Sequence, residues 1–250
     1  MKPPRARLVV RNVFSAAWPL FQVCLPSCLP LAVVAVAIGG AGDGGIRSSA
    51  SPGLPGSVAH WGALLLIAVL VLICHGAMLR QQLAMADGRR PILLRSLVAA
   101  CLNAPYAFLI VAAWSLLFVP AMLRTAWHGF DAFAAGFTAV AAALAVYVLP
   151  AWPVMIAQRL NPWSALVKSI QAVRGRWLSL LGVFSTELAG LLVYALLAGI
   201  ILGMVMNLAG QGISPTPEAL ALSRCLMAIL LAIPLVHVGA VSVTASRCLS

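Results

Sequence analysis

Glu187 and His237 are the two side chains best placed for proton chemistry in an apolar medium. Glu187 is the one acid deep within a long uncharged stretch, eleven residues beyond Arg176. At about 1.5 Å per helical residue it lies roughly 16 Å past that basic boundary. His237 stands ten residues before Arg247 on the next stretch and reaches roughly the same depth from the other direction. An acid and an imidazole at one depth can hydrogen-bond, hide each other's polarity from hydrocarbon and exchange a proton, as relays in transporters do. The same two groups can also form a polar clasp between the last two helices, which is the commoner use of a single buried polar pair.

Sulfur is the second candidate chemistry. Cys24 and Cys28 are four residues apart and share a helical face, and Met204 and Met206 add soft donors. Two thiols without a third ligand at a recognised spacing do not define a metal site, so no metal is expected. A thiol-redox role calls for C-x-x-C near an oxidising face, and neither the spacing nor the placement matches. Cys74-His75 reads as an apolar thiol beside a histidine. Ala195, Gly199 and Gly203 repeat at four-residue spacing and allow close helix approach, which predicts an internal contact or, failing that, a seam with a second copy.

Enzyme signatures are lacking. There is no H-E-x-x-H, no G-x-S-x-G and no Walker A lysine loop. Asp87-Gly88-Arg89-Arg90 opens like the motif of phospholipid-forming alcohol transferases, but the later aspartates that would hold the metal are missing. It reads instead as a turn. No catalytic residue and no cofactor is expected, and the chain is taken as a non-enzyme.

The elements that must position these residues follow from composition. Of 250 residues 63% are hydrophobic and 8% charged, against about 25% charged in a soluble domain. Sixteen Lys and Arg with five Asp and Glu cannot solvate the perimeter of so apolar a chain. Hydrocarbon is the medium in which such a composition is ordinary. Six stretches reach the roughly 20 apolar residues a spanning helix needs, near Pro19 to Ile38, His60 to Leu79, Leu97 to Leu123, Phe133 to Ile156, Leu178 to Met206 and Leu226 to Ala245. The expected fold is an all-α integral membrane protein with six spans in one domain over residues 1–250.

Charge sets the orientation. With the amino terminus inside, Lys2, Arg5, Arg7, Arg11, Arg80, Arg89, Arg90, Arg95, Arg159, Lys168, Arg174, Arg176 and Arg247 fall on the inner side. Only Arg47, Arg124 and Arg224 fall outside, so both termini are expected in the cytoplasm. Trp61 and Trp127 then lie at the outer interface and Trp18, Trp163 and Trp177 at the inner one, where amphipathic rings prefer to sit. The net charge of +11 therefore points to anionic head groups at the cytoplasmic face rather than to nucleic acid. A protein partner or a second copy of the chain remains open. With Lys2 and Lys168 the only lysines, the arginine and alanine bias suggests a GC-rich bacterial genome, hence an inner membrane.

Three inner segments share a pattern: Val10 to Ala16, Leu94 to Ala100 and Val167 to Val173 each run aliphatic, basic, small polar, aliphatic, and each precedes an outgoing span. They suggest three repeats over 1–80, 81–160 and 161–250, although any helix beginning at an inner leaflet has some of this character. Pro162 to Trp177 is the best interfacial helix of the set, with Trp163, Leu166, Val167 and Ile170 at helical spacing and Lys168, Arg174 and Arg176 free to reach head groups. Gly39 to Ala59, rich in glycine and proline, is expected to be a loose outer loop. No soluble catalytic domain is expected beside the spans.

Asn161-Pro162-Trp163-Ser164-Ala165-Leu166, Ser169 and Val173-Arg174-Gly175-Arg176-Trp177, following a span marked by Pro150 and Pro153, resemble bacterial six-span proteins related to the membrane domain of some glycerophosphodiester phosphodiesterases. The resemblance covers about a fifth of the chain and the six-span layout. It implies an inner-membrane protein without established activity, and no functional residue carries over.

Overall fold

The computed structural model describes residues 10–49, 58–129, 131–208 and 217–249. Among them no strand occurs, and six helical segments are long and apolar enough to cross a membrane: Val10–Gly40, Gly62–Ala86, Leu93–Leu116, Ala132–Gln158, Trp177–Met204 and Ser223–Leu249. The protein is an all-α membrane protein with six spans. The most apolar window of each span keeps only 11 to 33% of its residues inside the protein. Most of the apolar surface therefore looks outward, which is stable only against hydrocarbon.

The helices in chain order are α1 (Val10–Ser49), α2 (Val58–Ala86), α3 (Leu93–Leu116), α4 (Val119–His128), α5 (Ala132–Val148), α6 (Ala151–Gln158), α7 (Pro162–Val173), α8 (Trp177–Leu208) and α9 (Pro217–Leu249). Pro19, Pro26 and Pro30 lie within α1; each lacks an N–H, which frees the carbonyls of Ser15, Gln22 and Pro26. Such interruptions are tolerated in spanning helices, where neighbouring groups satisfy the backbone. α2 ends in a Schellman turn: Gly88 has φ +71°, its N–H reaches the Met85 carbonyl at 2.9 Å, and the Arg89 N–H reaches that of Ala84 at 2.8 Å.

Two expectations need correction. Gly39 to Ala59 is not all loop, because α1 continues to Ser49 and α2 begins at Val58; positions 50–57 lie outside the described residues. The third span does not run to Leu123. α3 stops at Leu116 and α4 starts at Val119, with Pro120 in its first turn. A continuous helix would set the Pro120 ring against the Leu116 carbonyl, so the chain breaks there and restarts.

α1 forms the centre, packed between α2 and α9; Phe21, Cys24, Cys28, Ala77, Met78, Ala232 and Val236 share one core cluster. At one end of the bundle Val13, Val173, Leu180, Val241 and Leu249 join α1, α7, α8 and α9. α8 is the most peripheral span, with 11% of its window inside. Of the three segments with the shared pattern, two open the long helices α1 and α3, whereas the third lies in the separate helix α7, divided from α8 by Gly175 at φ +81°. α7 buries Ala165, Ser169 and Val173 and turns Trp163 and Ile170 outward.

Candidate functional site between the last two spans

Glu187 and His237 meet. His237 Nδ1 lies 2.9 Å from Glu187 Oε1, and the Glu187 side chain is only 8% exposed. α8 and α9 run antiparallel, and three polar contacts tie them in one register. Arg176 Nη1 donates to the Cys248 carbonyl at 3.1 Å, Glu187 meets His237, and the Tyr194 hydroxyl donates to the Leu230 carbonyl at 2.7 Å. Eleven and then seven residues up α8 are matched by eleven and then seven down α9, or three and two helical turns. One face of each helix therefore carries all three contacts.

The Tyr194 contact has a local cause. Pro234 lacks an N–H and leaves the Leu230 carbonyl without its donor from the next turn. The phenol of the neighbouring helix supplies the missing hydrogen bond, as an apolar environment requires.

The surroundings of His237 come from α1. Its ring stacks on Phe14 at 6.3 Å between centroids and 17° between planes, and meets Trp18 and Phe21 edge-on at 6.2 and 5.3 Å. Phe14, Trp18 and Phe21 stand at helical spacing of four and three residues, a signal readable in the sequence once a polar partner is known. Chemically the pair is an imidazole nitrogen and a carboxyl oxygen at hydrogen-bond distance, enclosed on the α1 side by aromatic rings. The groups lining it on the α1 side are rings rather than further polar side chains from several helices.

The remaining candidates lie elsewhere. Ala195, Gly199 and Gly203 do not form an internal contact: all three are exposed, and a Cβ built at Gly199 or Gly203 would find nothing within 4 Å. α8 meets α9 through Glu187 and Tyr194 and buries Leu180, Val183 and Ala198, so its small-residue face is left outside. Cys24 and Cys28 are fully buried against α2. Met204 is exposed on α8, away from both, and the Met206 side chain lies outside the described residues. Cys74 is buried, and His75 packs on Trp152 at 4.8 Å. Asp87 pairs with Arg89 and, at 3.2 Å, with Arg247, joining the ends of α2 and α9.

A buried amide pair was not anticipated from sequence. Gln81 and Gln82 are 1% and 0% exposed. Gln82 Nε2 donates to the Val236 carbonyl at 2.9 Å, whereas its Oε1 is buried without a hydrogen-bond partner among the described residues. Gly239 makes room for it: a Cβ there would lie 2.5 Å from Gln82 Oε1.

Outside the spans, Arg124 and Asp131 cap the join between α4 and α5. Arg124 Nε and Nη2 donate to Asp131 Oδ2 at 3.0 and 2.7 Å, and Asp131 Oδ1 accepts the Ala134 N–H at 2.8 Å as the N-cap of α5. The Arg124 hydrogen bonds, then the Ala134 N–H, hold the Asp131 carboxyl below the usual range.

No protein family, no curated protein and no solved structure matches this chain.

Proposed function

We propose that this six-span protein resides in a bacterial inner membrane with both termini in the cytoplasm. There it acts as a non-catalytic accessory or scaffold in membrane or envelope processes, gripping anionic lipid through its basic end. The observation that carries this reading is the gathering of basic side chains at one end of the bundle. Arg11 opens α1, Arg89 and Arg90 follow α2, Arg95 opens α3, Arg159 caps α6, Arg174 and Arg176 flank the turn into α8, and Arg247 closes α9. These ends are tied together by the contacts of Arg176 with Cys248 and of Arg247 with Asp87. Beside them α7 turns Trp163 and Ile170 outward, next to an exposed Lys168, as a helix lying in a head-group layer does.

The test is lipid retention. Protein extracted gently from membranes should carry anionic phospholipid in excess over its share of the bilayer, and Lys168→Gln with Arg174→Gln should reduce that excess. Retention in proportion to bulk lipid, or reporter fusions placing residue 249 outside the cell, would overturn the proposal.

A second reading, a small transporter coupled to protons through Glu187 and His237, draws support from their direct contact. The ring-lined environment favours the clasp. Under the clasp reading Glu187→Gln, which keeps a hydrogen-bonding side chain of the same size, leaves any transport and its pH dependence unchanged. A relay loses both.

A further inference from the structure

Cys24 and Cys28 have no third ligand in the sequence, but the fold brings one. The Cys24 thiol donates to Sδ of Met85, on α2, at 3.2 Å. Both cysteines are 0% exposed and one turn apart on a single face of α1. A buried thiol is by itself an ordinary small hydrophobe. Two thiols one turn apart, the first already hydrogen-bonded to a thioether of a second helix and the other facing that same helix, are a donor set of another kind.

We propose that Cys24, Cys28 and Met85 form a three-sulfur site for a soft monovalent metal ion, copper(I) or its analogue silver(I). The donor chemistry selects the ion. The sulfurs are soft, and among the described residues no group of three or more His, Cys, Asp or Glu is placed to hold a metal. Hard cations that want carboxylate oxygen are thereby disfavoured, and the thioether favours copper(I) over zinc. Three sulfurs at about 2.3 Å from a central ion stand about 4 Å apart, so Cys24 and Met85 need open by less than about 1 Å, while the Cys28 thiol turns from the Met78 carbonyl and Gln81 Oε1 to complete the set.

The second shell is in place. Ser27 Oγ approaches Cys28 Sγ at 4.0 Å, and that thiol lies 3.7 Å from Gln81 Oε1 and 3.9 Å from the Met78 carbonyl. As the ion binds, a thiol that becomes a thiolate releases its proton to solvent, and the Ser27 hydroxyl, which in the empty site donates to the Cys24 carbonyl at 3.0 Å, can turn to it. Entry is through Met85. It is one residue from the end of α2, half-buried, and at the basic end of the bundle, while the cysteines behind it are sealed.

The test is anaerobic titration of the detergent-purified protein with copper(I) against a chromophoric chelator, with X-ray absorption at the metal edge. One copper per chain with three sulfur neighbours is expected. Met85→Leu, which keeps the volume of the side chain, should weaken binding tenfold or more, and Cys24→Ser with Cys28→Ser should abolish it. Removing the exposed Cys101 and Cys225 should change nothing. Copper that follows Cys101 or Cys225, or affinity unchanged by Met85→Leu, overturns the site. Should the double serine variant fail to fold, silver(I) decides by thermal shift. It should raise the melting temperature of the wild type and not that of Met85→Leu, and an equal rise in both overturns the site.

Discussion

The Tyr194 hydroxyl donates to the Leu230 carbonyl at 2.7 Å, the carbonyl that Pro234 deprives of its helical partner. A helix interruption on α9 is thus repaired by a side chain on α8, two turns beyond the Glu187 to His237 contact on the same face. The last hairpin is held by polar contacts spaced along an otherwise apolar seam, which suits a peripheral helix with little else to pack against.

Tyr194→Phe removes the repair and should lower stability by about 1 kcal/mol, the usual worth of a hydrogen bond between membrane helices. In a Pro234→Ala background the Leu230 carbonyl regains a backbone donor, so the same substitution should cost much less. Thermal unfolding in detergent of the four proteins measures this coupling, and additive losses would show that the phenol does not compensate for the proline.

Gly239→Ala should be costly although alanine is the better helix former. Its Cβ would meet Gln82 Oε1 at 2.5 Å and Nε2 at 3.0 Å, forcing the amide off the Val236 carbonyl and leaving buried polar groups unpaired, a loss of about 1–3 kcal/mol. Gln82→Ala in the same chain should recover part of it. Equal melting temperatures for Gly239→Ala and wild type would contradict the packing of Gln82.

Asp131 makes stability depend on pH at the acid end. Its carboxyl is held below its ordinary value near 4 in the folded chain, chiefly by Arg124, so the contribution is fully present above that ordinary value and is lost as pH falls through the depressed one. The wild type should exceed Asp131→Asn in melting temperature by a constant margin at neutral pH. The margin should shrink only below about pH 4, and one that shrinks between pH 6 and 8 would point to another group.

Gly199→Leu and Gly203→Leu should leave the melting temperature of the isolated chain unchanged or raise it, since their Cβ atoms meet open space and helical glycine costs about 1 kcal/mol against better formers. Crosslinking in the membrane reads the other possibility. Loss of a dimer in these variants would identify the face as a seam between copies, whereas a lower melting temperature of the monomer would contradict its openness.

Much of this protein was legible from residue order alone. Apolar runs of spanning length announced six spans, arginine placement gave them a common basic end, and distances of eleven residues from Arg176 and ten from Arg247 set Glu187 and His237 at nearly one depth. These properties depend on distance along a helix, which is a fixed rise per residue. Which way each face turns was decided only by the tertiary structure. In hydrocarbon the outward side of a helix is as apolar as the inward one, so no amphipathic period marks the face that packs. The rings of Phe14, Trp18 and Phe21 around His237, the approach of Met85 to Cys24, the amide of Gln82 beneath Gly239 and the open side of Gly199 all follow from how the helices turn and cross. Close packing between segments remote in sequence settles those orientations.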